Sequence, residues 1–168
     1  PKKTLRKSFD IRQTSKQTML LKKSELIDNQ QIQITGSKSI SNRLLILGKL
    51  FGNIDMLNLS NSQDTTLLKK ALESDAELID IHHAGTAMRF LASYYSIFEG
   101  RKTILTGSDR MKNRPIKPLV DALQSLGADI TYLEKEGFPP LQIIGKKLER
   151  NLVKISANVS SQFLTSLI

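Results

Sequence analysis

Residues 85–127 read GTAMRFLASYYSIFEGRKTILTGSDRMKNRPIKPLVDALQSLG, and their pattern decides the fold. A small-residue turn opens an apolar stretch at helical spacing over 86–98, closed near Gly100, a residue suited to ending a helix. An apolar strand pattern follows over 102–105. A Ser/Asp turn at Ser108 and Asp109 then leads to a helix over 115–126, with Pro115 at its first position and Gly127 just past its end. Helix, strand, turn and helix in alternation predict an α/β chain.

The same order recurs upstream and extends outward from there. Gly36-Ser37 precedes a helix over 39–50 that contains Arg43-Leu44-Leu45, as Gly85-Thr86 precedes Arg89-Phe90-Leu91. Gly52, a strand over 54–59 (IDMLNL), a Ser62/Asp64 turn and a helix over 64–74 complete that copy. The helix carries Ala71-Leu72-Glu73-Ser74 where the second copy has Ala122-Leu123-Gln124-Ser125. Val159-Ser160-Ser161-Gln162 opens a third helix. Two αβ repeats and the start of a third are expected. Further strands are expected at 31–35 (QIQIT), 78–81 and 152–155, with a short one near 9–12. The stretches 130–133 and 141–144 flank Gly137, Pro139 and Pro140 as a hairpin. A helix of one or two turns is a poor place for a chain to stop, so a piece of a longer polypeptide is expected.

The 168 residues allow one ordinary domain or part of a larger one, and 39% hydrophobic content suffices for a core. No apolar run approaches the ~18 residues of a membrane span. No apolar segment of signal-peptide type follows the basic start. The absence of Cys excludes disulfides, thiolate metal sites and cysteine nucleophiles. A cytoplasmic protein is expected. The formal charge is +9, and residues 1–30 hold eight Lys/Arg against three acidic residues, which marks them as a basic N-terminal extension to the domain at 31–168. Nucleic acid is not the expected partner: aromatics are 5%, and there is neither Trp nor a zinc-finger or RRM-type pattern. Small anionic substrates suit the charge better.

Four clusters bear donors or cations at helix starts, where free backbone N–H groups and the helix dipole favour anions. Gly36-Ser37-Lys38-Ser39-Ile40-Ser41-Asn42-Arg43 offers a Lys, hydroxyls, and an Arg one turn after Ser39. It lacks the spacing and second Gly of a Walker loop. A Ser cap with solvated Lys and Arg would look the same. Ala84-Gly85-Thr86-Ala87-Met88-Arg89 allows close approach at Gly85, while Arg89 reads equally well as a tie to a neighbouring helix. Arg114, just before Pro115, stands near the positive end of a helix. Ser160-Ser161-Gln162 is the fourth. His82-His83 read as structural, since neighbours on a strand face opposite ways and no third ligand supports a metal.

In this order GSKSISNR (36–43), AGTAMR (84–89), LTGSDRMKNRPI (105–116) and VSSQFLTSL (159–167) resemble the enolpyruvyl transferase family, with DALQSLGADITYLEKEGFPPLQI (121–143) alongside. The resemblance runs from about Gln31 to Ile168. It implies two similar domains, each of three βαβαββ units, with the active site between them; this chain would be two units plus the start of a third, and the second domain is not in it. It implies transfer of the enolpyruvyl group of phosphoenolpyruvate to the 5-hydroxyl of shikimate-3-phosphate, releasing phosphate, in aromatic amino-acid biosynthesis. No metal and no organic cofactor are implied, and the expected partners are the two small molecules, with no membrane, in a monomer. Carried over by position, Lys38, Ser39, Arg43, Ser160, Ser161 and Gln162 would hold shikimate-3-phosphate. Lys38, Gly85, Arg114 and Gln162 would hold phosphoenolpyruvate. The general acid and base would come from the half of the family's chain that is not present, so no catalytic residue is assigned and the piece alone is expected to be inactive. Phe90 stands where members commonly have Pro, Thr35 where they have Pro before GSKS, and 74–83 is shorter than in many. The alternatives are a transferase acting on UDP-N-acetylglucosamine, for which Lys-Asn would be expected at 38–39 together with a Cys, and a non-catalytic anion-binding fragment.

Overall fold

The apolar alternation beyond residue 77 builds a four-stranded sheet. In the computed structural model, which describes residues 29–52, 54–155 and 161–167, the strands are β1 (Leu78–Asp80), β2 (Lys102–Thr106), β3 (Asp129–Tyr132) and β4 (Leu141–Ile144). Their order is β1-β2-β4-β3. β1 and β2 are parallel, with Ile79 opposite Leu105. β4 is antiparallel to both neighbours, setting Leu141 opposite Leu105 and Ile143 opposite Ile130. Parallel neighbours need a crossover, and α3 (Gly85–Ser96) supplies it. The short α4 (Asp109–Lys112) and then α5 (Lys117–Ser125) lead on to the β3–β4 hairpin. Residues 78–144 therefore form one complete βαβαββ unit, the repeat expected from the sequence.

Burial along β2 and β4 alternates, so one sheet face is covered. Leu105, Leu141 and Ile143 on the sheet, Leu91 and Tyr95 on α3, and Leu119 and Val120 on α5 all lie in one core with almost no exposure. Removing such side chains from water supplies most of the stabilisation, roughly 1.5–3 kcal/mol each. Three further helices, α1 (Lys38–Phe51), α2 (Gln63–Glu73) and α6 (Ser161–Leu167), complete the element order, and each packs against α3. The spacing predicts one apolar face of Leu67, Leu68, Ala71 and Leu72; the last three are buried and Leu67 packs half-buried on the core. The Tyr95 hydroxyl donates to the Ala71 carbonyl at 2.8 Å, fastening α3 to α2. Ser62 and Ser108 accept from the N–H groups of Thr65 and Met111 and so cap α2 and α4.

Four sequence expectations fail locally. The stretches 31–35, 54–59 and 152–155 are not strands. A strand needs a neighbour for its N–H and C=O groups, and none of these runs has a ladder partner among the described residues. Part of their apolar surface stays in solvent, with Ile34 74% exposed, Leu57 89% and Leu152 78%, while Met56, Leu59 and Ile155 pack half-buried on the core. Asn58, at φ 52, also breaks the extended run of 54–59. The fourth concerns Pro115, which does not start a helix. The Ile116 N–H is bound across to the Gly137 carbonyl at 2.9 Å, and the helix begins only at Lys117 with Pro118 in its first turn.

The chain divides into Pro1–Gln33 and Ile34–Ile168, and every element above belongs to the second unit. The expected strand at 9–12 lies outside the described residues. Among the described residues, no helix is long and apolar enough to cross a membrane.

Candidate functional site

Gly85 is the first residue of α3 and is buried. Helix N–H groups without partners point outward there, at the positive end of the dipole. Arg114, in the loop after α4, lays its guanidinium against Gly85: a β-carbon on Gly85 would collide with Nη1 and lie 3.2 Å from Cζ. Arg89 returns one turn later, and its Nη1 would be 3.2 Å from the same β-carbon. That Nη1 donates to the Gly85 carbonyl at 2.7 Å, while the buried Nε has no partner. Burial pushes the Arg89 pKa down, and the positive charge of Arg114 adds to the shift. Two guanidinium groups thus share one helix start, which stores repulsion that an anion would relieve. The sequence gives Arg114 to the helix that follows it. In the structure it instead serves the start of α3.

α1 brings the second set of donors. The Arg43 guanidinium donates to the Ser39 carbonyl at 2.9 Å and to the Ser39 hydroxyl. Its other nitrogen reaches Thr165 Oγ1 on α6 at 3.3 Å, and its carbon stands 5.6 Å from the Phe90 ring centroid on α3. Lys38 is half exposed, with Nζ 4.0 Å from an Asp64 carboxylate oxygen at the start of α2. Behind this turn, the Ser41 hydroxyl accepts from the Ser60 N–H at 2.9 Å, and Asn42 Oδ1 accepts from the Thr65 hydroxyl at 2.7 Å. Both side chains are buried; Ser41 holds α1 to the loop before α2, and Asn42 holds it to α2 itself.

α6 closes the group. Gln162 Nε2 donates to Thr86 Oγ1 at 3.3 Å, and Arg89 lies 4.9 Å over the Phe163 ring. The Ser161 carbonyl accepts from the Thr165 hydroxyl at 3.0 Å. Ser160 lies outside the described residues. The four clusters are therefore linked through the first two turns of α3: Thr86 to α6, Gly85 to Arg114, Phe90 to α1. Among the described residues the ion pairs are made by lysines, and Arg43, Arg89 and Arg114 take no part in them. Such an arrangement can hold a small molecule with several negative charges.

Sequence reasoning gave no role to Phe163 and Thr165, placed Thr86 in its cluster without a role, noted Phe90 as a departure from the family pattern, and read Arg89 either as a cation of its cluster or as a helix tie. The tie is present, to Phe163. The available signal was spacing: Arg89 follows Gly85 by four residues, and Thr165 follows Ser161 by four. His82 and His83 lie beyond β1, His82 at φ 48, and His83 Nε2 meets Gln63 Oε1 at 2.9 Å. Among the described residues no three His, Cys, Asp or Glu side chains gather as a metal site.

Comparison with known proteins points the same way. The profile of EPSP synthase (3-phosphoshikimate 1-carboxyvinyltransferase) matches residues 60–168. The 3-phosphoshikimate 1-carboxyvinyltransferase of Bacteroides fragilis strain YCH46 is 51% identical over 138 residues, 82% of this chain and 33% of that protein. The Photobacterium profundum protein of that name is 39% identical over 165 residues, 82% of this chain and 38% of its own length. The chain thus spans about a third of the length of the curated relatives it matches. The solved structure of EPSP synthase from Acinetobacter baumannii superposes with a TM-score of 0.67 at 20% identity, over 81% of this chain and 36% of that one, which shows the shared fold. With the profile covering more than half of the residues, the chain belongs to the EPSP synthase family.

Proposed function

We propose that this chain is the part of a 3-phosphoshikimate 1-carboxyvinyltransferase that binds shikimate-3-phosphate and phosphoenolpyruvate, in an enzyme that moves the enolpyruvyl group to the 5-hydroxyl and releases phosphate. Residues 31–168 would be part of one of two domains, and residues 1–30 a basic extension to it. The observation that carries the proposal is the Arg89–Arg114 pair at the Gly85 helix start, linked through α3 to Arg43 and Gln162. Both substrates are multiply anionic, and bringing them together costs Coulomb repulsion that these cations offset. Lys38, Ser39, Arg43, Ser160, Ser161 and Gln162 take shikimate-3-phosphate in this reading; Lys38, Gly85, Arg114 and Gln162 take phosphoenolpyruvate.

Addition of the hydroxyl places positive character on C2 of the enol ether, followed by a tetrahedral intermediate. The residues here contribute binding and orientation, which turn a bimolecular encounter into a positioned one. No general acid or base is assigned among them. The enzyme acts in the cytoplasm, as a monomer, without metal or organic cofactor in this reading. Ser39 after Lys38, where Lys-Asn would be expected for that acceptor, disfavours UDP-N-acetylglucosamine.

The test is an NMR titration of the chain with shikimate-3-phosphate, phosphoenolpyruvate, UDP-N-acetylglucosamine and sulfate. Saturable shifts at Ser39, Arg43 and Gln162 with shikimate-3-phosphate, absent with UDP-N-acetylglucosamine, are expected. Equal responses to sulfate and to shikimate-3-phosphate would reduce the site to a general anion patch.

A further inference from the structure

Phe90 is a buried ring that links α3 to α1 in the site described above and itself offers an anion no donor. It is 4% exposed and sits on α3 next in sequence to Arg89, so it points about a quarter-turn away from that residue. Its ring carries the half-buried Arg43 guanidinium, whose carbon is 5.6 Å from the centroid. The edges of that guanidinium are held by the Ser39 carbonyl at 2.9 Å, the Ser39 hydroxyl, and Thr165 Oγ1 at 3.3 Å. The hydrogen bonds hold the edges of the guanidinium, and the Phe90 ring stands at its face. A long arginine side chain otherwise surrenders much rotamer freedom when it binds a ligand.

We infer that Phe90 is a positioning residue for Arg43: its ring face sets the plane in which the guanidinium meets a substrate anion, so α3 tunes the anion affinity of α1. The inference rests on the reading of Arg43 as a ligand of shikimate-3-phosphate. The physical basis is the negative face of the aromatic quadrupole, which attracts a weakly hydrated planar cation. An aliphatic side chain of similar size fills the same space without that face. A pentafluorinated ring keeps the shape and reverses the quadrupole.

The experiment compares the native chain with Phe90→Leu and with a chain whose Phe90 ring is replaced by its pentafluoro analogue. Three quantities are read: the NMR order parameter of the Arg43 Nε–H, the Kd for shikimate-3-phosphate, and Tm. Both variants should lower the Arg43 order parameter and weaken shikimate-3-phosphate about three- to fivefold. The fluorinated chain, which preserves packing, should keep the native Tm and so separates positioning from stability. It also carries the test if Phe90→Leu does not fold. An unchanged order parameter, or unchanged affinity in a native chain that binds, overturns the inference alone. A native chain that does not bind shikimate-3-phosphate overturns the reading of Arg43 as its ligand, and this inference with it.

Discussion

The Arg114 guanidinium occupies the space that a β-carbon on Gly85 would need. The colliding atom is the far end of a flexible side chain, so Gly85→Ala should move Arg114 and leave the backbone in place. A charged hydrogen-bonding group taken from its ligand costs about 1.5–3 kcal/mol, or roughly 10- to 100-fold in affinity. Gly85→Ala should therefore weaken phosphoenolpyruvate by at least about tenfold while Tm moves by less than about 3 °C. Titration calorimetry and a thermal melt on the same preparation check both. Unchanged affinity would remove Arg114 from the binding machinery.

Gly145 makes the opposite kind of close approach. A β-carbon there would press on the Phe98 carbonyl and lie 2.7 Å from the Tyr95 carbonyl oxygen, and both are backbone. Gly145 is also pinned, its N–H donating to the Arg101 carbonyl at 2.8 Å and its carbonyl accepting from the Gly100 N–H at 3.0 Å. Nothing can swing aside. Gly145→Ala should cost roughly 1–3 kcal/mol, as overpacking does, and lower Tm by about 3–10 °C. Urea unfolding measures this, and a variant as stable as the native chain would contradict the contact.

All three tyrosines should resist ionisation. Burial pushes Tyr95 up to about 12 against the opposing pull of Arg101, raises Tyr94 in the same way, and takes Tyr132 to about 12. The unfolded phenol titrates near about 10. The folded state thus favours the neutral form, and the stability this linkage contributes is complete below pH about 10. It is lost as the pH climbs from about 10 to about 12. Near-ultraviolet absorbance should show clearly less tyrosinate at pH about 10 in the native chain than the roughly half ionisation expected in denaturant. A native titration matching the denatured one would sink the expectation.

The elements legible in the sequence are those whose partners lie within it. The α2 stripe of Leu68, Ala71 and Leu72, the hairpin around Gly137, and the alternation over 78–144 all found their neighbours. The runs at 31–35, 54–59 and 152–155 alternate just as well. Alternation, however, states only that one face seeks burial and does not supply the adjoining strand. Pro115 misled because two prolines, 115 and 118, both fit a first turn, and the Ile116–Gly137 hydrogen bond chose the second. Of the four sequence clusters, three stand at the starts of α1, α3 and α6, while Arg114 lies in the loop between α4 and α5. The cross-helix links Gln162–Thr86, Arg89–Phe163 and Arg43–Phe90 were not legible, because helical spacing assigns a residue to a face and leaves open which helix that face meets.

The first turns of α1 depend on a buried polar link that can be tested by its asymmetry. Asn42 is fully buried, its Oδ1 accepts from the Thr65 hydroxyl at 2.7 Å, and its Nδ2 has no partner. Thr65→Val keeps the shape and takes away the one donor to Oδ1 found among the described residues. The Thr65 backbone N–H still caps onto Ser62 Oγ at 3.4 Å, so α2 should survive. Leaving a buried acceptor unpaired costs about 1–3 kcal/mol, whereas removing both partners together is close to neutral. Thr65→Val should therefore destabilise by about that amount, and adding Asn42→Leu should recover most of it. Because Asn42 adjoins Arg43, the single variant should also blur the Arg43 side-chain signals that the double variant partly restores. A double-mutant cycle in urea supplies the coupling directly. Additive single effects would mean that Asn42 and Thr65 hold α1 and α2 independently rather than through one bond.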